Sequence, residues 1–181
     1  MNERIKDFKP IVFNDSKVLI LGTLPGRKSL EEGFYYADKG NYFWKFFMEY
    51  TGCGKRPTNI AEAGDVVRLA KVALWDVFES GIREDKTGKR TSNDSDIAEP
   101  VPNKIPEFLQ EHPGIERIGV TGSVGYNAFC RYFPDIKATQ LPSSSGANAV
   151  CWGMETVDGI RRIRRDRKGW KTWKAFIEGD L

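Results

Sequence analysis

Three clusters of residues in this chain have the types and spacing to do chemistry. The first is Gly22-Thr23-Leu24-Pro25-Gly26, which follows the apolar run Val18-Leu19-Ile20-Leu21. Two glycines around a proline let backbone amides approach a ligand closely, which suits polar recognition of a base or a phosphate. The same residues also make a plain tight turn, and they are neither a Walker loop nor a dinucleotide fingerprint, lacking GK[ST] and G-x-G-x-x-G. The second cluster is Tyr35-Tyr36 with Asn41 shortly after. The tyrosines can stack on a planar ring or form a half-buried wall, and Asn41 can position a water, bind a base edge or cap the apolar helical run that follows it. The third is the polar loop Pro142-Ser143-Ser144-Ser145-Gly146-Ala147-Asn148-Ala149.

Other chemistries are poorly supported. A nucleophilic serine or cysteine needs a base, and the only histidine, His112, sits in a Glu-His-Pro-Gly turn between elements. Carboxylates near the three clusters are few, Asp38 and Asp76 apart, which disfavours two-acid glycoside hydrolysis. Cys53, Cys130 and Cys151 are odd in number and far apart, fitting reduced thiols rather than a disulfide framework, zinc or an iron–sulfur cluster. Charge is unevenly spread. Arg161, Arg162, Arg164, Arg165, Arg167 and Lys168 face the single acid Asp166, a local net of +5 in a chain of net +3, so the remainder is −2. Positive charge concentrated on a nearly neutral body suits a polyanion such as nucleic acid, or makes a solvated charged face.

Strands are expected at residues 17–22, 72–77, 115–121 and 137–141, from short apolar runs bounded by turn residues. Helices are expected over 41–50, 58–70 with Thr58 as cap, 103–110, 124–132 and 170–178. In the first of these Phe43, Phe46, Phe47 and Tyr50 recur at i, i+3, i+4 and i+7, a core-facing stripe. Residues 29–33 read as a pause, and residues 80–102, rich in charge, Ser, Asn, Asp and Gly, as a long surface excursion with at most a short helix near 94–97. Strands alternating with helices predict an α/β fold: three layers, α/β/α, around a mostly parallel four-stranded sheet. A ligand then binds at the carboxyl ends of the strands, where the loops after the first and fourth form the mouth. The 181 residues fit one domain spanning 1–181. The charged start lacks the apolar core of a secretory signal and no stretch reads as a membrane span, so a cytoplasmic location is expected.

The order LILGTLPGRKSLEEGFYYADKGNYFWKFF, ALWDVFESGIR, IGVTGSVGYNAF and LPSSSGANA resembles the uracil-DNA glycosylase superfamily. The likeness covers residues 17–149 and is closest to the branch of DNA-deoxyinosine, or hypoxanthine-DNA, glycosylases. It implies a monomeric three-layer enzyme that hydrolyses the N-glycosidic bond of a deaminated base flipped out of DNA, with no metal or cofactor and no membrane. The alternatives are a mismatch-type uracil enzyme, a non-catalytic nucleic-acid-binding module on the same fold, or a small-nucleotide-binding protein. By this resemblance Gly22, Thr23, Leu24, Pro25 and Gly26 line the base pocket, Tyr36 stacks on the base and Asn41 is the catalytic residue. Pro142, Ser143, Ser144, Ser145 and Asn148 meet the DNA backbone, while Arg161, Arg162, Arg164 and Arg165 are the candidates for a basic rim. The chain departs from the family pattern at Leu24, where a water-activating Asp or Asn stands in the uracil-specific branch, and at Leu141, where another branch has His. Both departures argue against an efficient uracil enzyme and move the work to Asn41. Asp38-Lys39-Gly40 also replaces a His-Pro-Arg type of segment, and Gly146 a common proline.

Overall fold

A strand buried on both faces reads as a mostly apolar run, and three such strands, with a shorter and partly exposed fourth at one edge, carry this fold. The computed structural model describes residues 3–84, 87, 89, 91 and 93–181. In chain order its elements are β1 (Ile5–Lys6), β2 (Val18–Gly22), α1 (Arg27–Glu32), α2 (Phe43–Thr51), α3 (Ile60–Leu69), β3 (Val72–Asp76), β4 (Phe78–Arg83) and β5 (Ile97–Pro102). They continue with α4 (Ile105–Glu111), β6 (Arg117–Thr121), α5 (Gly122–Tyr132), β7 (Thr139–Leu141), α6 (Ala149–Trp152), β8 (Met154–Val157), β9 (Ile160–Ile163) and α7 (Lys168–Glu178).

The central sheet has the order β3-β2-β6-β7, with every neighbouring pair parallel. Side chains alternate across it. Val18 and Ile20 of β2 join Val72, Leu74 and Leu141 in a core with Phe43, Phe46 and Phe47 of α2, Val67 of α3 and Trp173 and Phe176 of α7. Leu19 and Leu21 join Ala73, Ile118 and Val120 in a second core with Ile105 and Phe108 of α4 and Phe129 of α5. The two cores on opposite faces are the three layers expected. Strand and helix positions agree with the sequence pattern to within a residue or two at most ends, where helices fray into caps. The α3 cap is Asn59 instead of Thr58: the Glu62 N–H donates to Asn59 Oδ1 at 3.0 Å, while the Thr58 N–H and hydroxyl donate to the Glu62 carboxylate, so one capping box is shared by two residues.

Three stretches differ from the expectation. Residues 27–32 form the short helix α1, closed by Gly33 at φ 77°, where a pause was expected. The supposed surface excursion is in part a second, antiparallel sheet of order β1-β4-β5. Ser80 and Arg83 of β4 are buried in it, and a 3-10 turn at Asp94–Asp96 leads into β5. Residues 85, 86, 88, 90 and 92 of that excursion, like residues 1 and 2 of the charged start, lie outside the described residues. The basic segment begins in a hairpin, β8 and β9, turned at Asp158 (φ 51°) and Gly159 (φ 75°), a two-residue turn whose left-handed backbone matches strand twist. Among the described residues no helix is long and apolar enough to cross a membrane.

Trp173 of α7 is fully buried and packs edge-on to Phe43, Phe46 and Trp152 at 5.4 to 5.5 Å. Its indole N–H donates to the carbonyl of Pro142 at 3.0 Å, so the aromatic core reaches the loop after β7 directly. Trp173→Ala should therefore lower stability by about 3–5 kcal/mol in denaturant unfolding, and amide exchange across residues 142–148 should accelerate even where the protein remains folded.

Candidate active site

The carboxyl ends of β2, β3 and β6 open into a cleft of about 300 Å³, at the edge that strand topology assigns to ligands. Of the residues singled out from sequence, Gly22, Thr23, Leu24, Pro25, Gly26, Tyr36, Asn41, Ser143, Ser144 and Ser145 border it together. Pro142, Asn148, Arg161, Arg162, Arg164 and Arg165 do not. Leu24 contributes backbone, since its side chain is buried in the core that includes Phe78 and Phe129. Leu141 is fully buried in the opposite core. Neither leucine side chain can hold a water in the cleft.

The polar depth of the cleft is made by Asp76, Tyr36 and Thr121. Asp76 ends β3 and is 3% exposed, and its Oδ2 has no hydrogen-bond partner among the described residues. Burial, reinforced by the negative charges of Asp7 and Asp94 and opposed by Arg83, raises its pKa well above the ordinary carboxylate value, so the group favours its protonated form. Tyr36 takes the left-handed backbone (φ 54°), and its ring lies flat on Phe43 with centroids 3.8 Å apart and planes 5° from parallel. Its buried hydroxyl stands near Thr121 without completing a well-aligned hydrogen bond. Burial and then Asp76 push its pKa upward, keeping the phenol neutral. Gly22 makes room for both groups: a Cβ there would collide with the Asp76 carboxylate and lie 3.0 Å from the Tyr36 hydroxyl.

Asn41 stands at the lip. Its Oδ1 accepts from the Phe43 N–H at 2.9 Å, so it does help start α2, although Tyr42 occupies the cap position and makes no side-chain capping bond. Among the described residues its amide Nδ2 has no hydrogen-bond partner. The neighbouring loop is fixed through its carbonyls. Ser143 O accepts from Asn148 Nδ2 at 2.9 Å and Trp152 Nε1 at 2.8 Å, and Ser144 O accepts from the Tyr42 N–H at 2.7 Å. Asn148 thus braces the loop from within. The aromatic segment is bolted down likewise: Trp44 Nε1 donates to Tyr35 O, Arg56 to Ala37 O, and the Ala37 N–H to Ser29 Oγ.

Sequence reasoning assigned no role to Asp76 and missed Arg83 and Asp94. Arg83, 3% exposed, donates to Leu24 O at 2.6 Å and to Asp94 Oδ1 at 2.8 Å, while Thr23 Oγ1 donates to Asp94 Oδ2 at 3.2 Å. The Gly/Pro loop is therefore held by a charged pair that comes from the second sheet and the turn before β5. Asn103 Nδ2 ties the Asp76 carbonyl (2.9 Å) to Asp7 (2.6 Å), and burial pushes the Asp7 carboxyl up to about 6. An acid closing a buried strand was the one visible signal, at Asp76. His112 packs on Phe108 and has no part in the cleft.

The cleft lies at the carboxyl ends of a parallel sheet, where such α/β folds bind ligands, and comparison with known proteins identifies the family. The family model described as the uracil DNA glycosylase superfamily matches residues 10–168, and the chain belongs to that superfamily. It is a DNA glycosylase, with DNA as its substrate. A relative from Methanosarcina barkeri (strain Fusaro / DSM 804), named hypoxanthine DNA glycosylase, is 29% identical over 146 residues, covering 78% of this chain and 86% of that protein. One of the same name from Methanosarcina acetivorans is 28% identical over 145 residues, covering 79% and 87%. The fold also matches a solution NMR structure from Methanosarcina acetivorans, described as a candidate uracil DNA glycosylase, with TM-score 0.71, 24% identity and 98% of each chain covered.

Because the folded state raises the Asp76 pKa, it holds that proton more tightly than the unfolded chain, and stability is lost as pH climbs from the ordinary value of 3.8 through the raised one. Asp76→Asn, which needs no proton to stay neutral, should melt higher than the parent near neutral pH. The difference in Tm should shrink toward zero as pH approaches 3.8.

Proposed function

We propose that this protein excises hypoxanthine from DNA, acting as a monomer through its one domain, with Asn41 serving the attacking water and the 22–26 loop and Tyr36 holding the base. The observation that carries the reading is the pair of buried oxygens, Asp76 Oδ2 and Tyr36 Oη, that have no hydrogen-bond partner among the described residues, both on residues that line a cleft of about 300 Å³. Deamination replaces a ring amino group by a keto oxygen. A keto oxygen accepts two hydrogen bonds, and a protonated carboxyl with a phenol supplies two donors, whereas an amino group in that place accepts neither. Loss of such a contact leaves buried donors unpaired, the strongest form of discrimination against a near-identical ligand.

The same arrangement suits the reaction. Breaking the base–sugar bond places negative charge on the leaving base and positive charge on the sugar. Donors fixed on the keto oxygen bind more strongly as that charge develops, so they favour the transition state over the ground state. At the sugar side, Asn41 retains one lone pair on Oδ1 for a water O–H, and its bond from the Phe43 N–H fixes where the amide points. The stack of the Tyr36 ring on Phe43 fixes where its hydroxyl points. Extrusion costs a few kcal/mol, less at a mismatch. The choice of hypoxanthine over uracil is supported by the two relatives so named and by the apolar Leu24 and Leu141 at positions that are polar in other branches. The loop at Pro142, Ser143, Ser144 and Ser145 and the arginine-bearing hairpin supply the contacts to the DNA backbone.

Incubation with oligonucleotides carrying hypoxanthine, uracil or xanthine should yield abasic sites chiefly from hypoxanthine; release of uracil without hypoxanthine would establish the mismatch-type uracil activity instead. Asn41→Ala should lower single-turnover excision by about 10²-fold or more with the fold intact. The rate should fall as pH rises through the raised Asp76 pKa, where the donor is lost, and Asp76→Asn should flatten that alkaline limb. An unchanged limb in the variant would remove Asp76 from base recognition.

A further inference from the structure

The basic segment is not one uniform charged face, because its arginines differ in what already neutralises them. Arg164 is bound by Asp166 at 2.7 and 3.0 Å. Arg162 and Arg165 both close on Glu49 of α2, a carboxylate only 17% exposed, and this anchor helps hold β9 against the helix. Arg161 is different: it is exposed and has no carboxylate partner among the described residues. The cation nearest to it in kind is Lys45, one turn before Glu49 on the same helix. The Lys45 ammonium donates to Gly40 O at 3.2 Å and lies 4.5 Å from the centre of the Tyr42 ring. Partial burial and then the charges of Arg161 and Arg56 lower its pKa, and Asp38 offsets them only weakly.

Between α2 and the hairpin runs a groove of about 490 Å³, lined by Lys45, Arg161, Arg162 and the Glu49–Arg165 pair and by the apolar Met48, Met154 and Ile160. We propose that this groove is a second DNA-binding site, in which Lys45 and Arg161 together grip one backbone phosphate of the strand that leaves the cleft. Two cations held near each other, one of them partly desolvated, repel unless an anion lies between them. Among the described residues Glu49 pairs with Arg162 and Arg165, whereas Lys45 and Arg161 close no salt bridge and Asp38 offsets the Lys45 charge only from a distance. Position fits the same ligand. Gly40, which receives the Lys45 ammonium, is the residue before Asn41, and its carbonyl faces Gly146 of the opposite lip so closely that a Cβ there would sit 2.9 Å away. The groove therefore begins where the lips of the cleft meet, and the methionine and isoleucine wall suits the apolar face of a sugar. The proposal rests on DNA as the substrate and is independent of which base is released.

The test uses duplexes carrying a stable abasic analogue, so that no excision is required, with one phosphate at a time replaced by an uncharged methylphosphonate. In the parent protein one position beside the lesion should lose affinity by about tenfold or more. In Lys45→Gln and in Arg161→Gln that single loss should vanish, and each variant should have a salt dependence shallower by about one unit. Lys17→Gln removes a charge at the far, amino end of the sheet and should leave the position-specific loss intact. A flat scan in the parent protein, or a loss that persists unchanged in both variants, would overturn the proposal, whatever the outcome of the base-release panel.

Discussion

Everything at this site depends on a carboxyl group that the fold takes out of water while leaving one of its oxygens, Asp76 Oδ2, without a hydrogen-bond partner among the described residues. Leaving a polar group buried and unpaired costs roughly 1–3 kcal/mol, and here two such groups, on Asp76 and Tyr36, line the same cleft. The cost is bearable because burial itself lifts the Asp76 pKa, which favours the neutral acid over the far costlier bare charge. It also requires space, which Gly22 provides by having no Cβ, and it requires a rigid setting, since a mobile strand end would let water in. Parallel pairing of β3 with β2, register Gly22 opposite Asp76, supplies that setting.

The rigidity comes from the aromatic layer beneath. Alternation along β2 sends Val18 and Ile20 to one face, where Phe43, Phe46, Phe47, Trp152 and Trp173 interlock. Large rings alone would fix only the helices. Three of these elements also present polar tips or backbone donors to the site loops: Trp152 to Ser143 O, Trp173 to Pro142 O and the Tyr42 N–H to Ser144 O. A tryptophan needs somewhere to put its N–H when buried, and a loop needs donors for its inward carbonyls. Each satisfies the other, so the packing of the core sets the shape of the cleft.

Much of this was legible in the sequence, and the parts that were not share a cause. The four central strands and the core stripe of α2 follow from local periodicity, and the ordered motifs placed the 22–26 loop, Tyr36 and Asn41 at one mouth. The β1-β4-β5 sheet was not legible because Phe78–Arg83 mixes acid, glycine and arginine with its apolar residues; its buried positions include Ser80 and Arg83, which composition assigns to the surface. Arg83 and Asp94 are joined only by three distant segments meeting. The β8–β9 hairpin carried a readable turn signal in Asp158-Gly159, masked by the density of arginines. Burial of polar residues at a site is a tertiary property, and neither period nor propensity contains it.

Two readings of Asn41 competed on sequence grounds, helix start or chemistry, and the geometry shows that they need not compete. An amide that only positions a water would be free to rotate about its side-chain torsions, and each torsion left free dilutes the productive orientation. The hydrogen bond from the Phe43 N–H removes that freedom while consuming one lone pair of Oδ1, and leaves the other lone pair and the Nδ2 donors for the proposed water. Tyr36 follows the same logic. Its strained left-handed backbone would be a liability in a free loop, yet the stack on Phe43 and the bond from Arg56 to Ala37 hold it, and the ring is thereby presented edge-fixed to the cleft. In both cases the local structural role is the means by which a single residue becomes precise enough for the chemistry proposed.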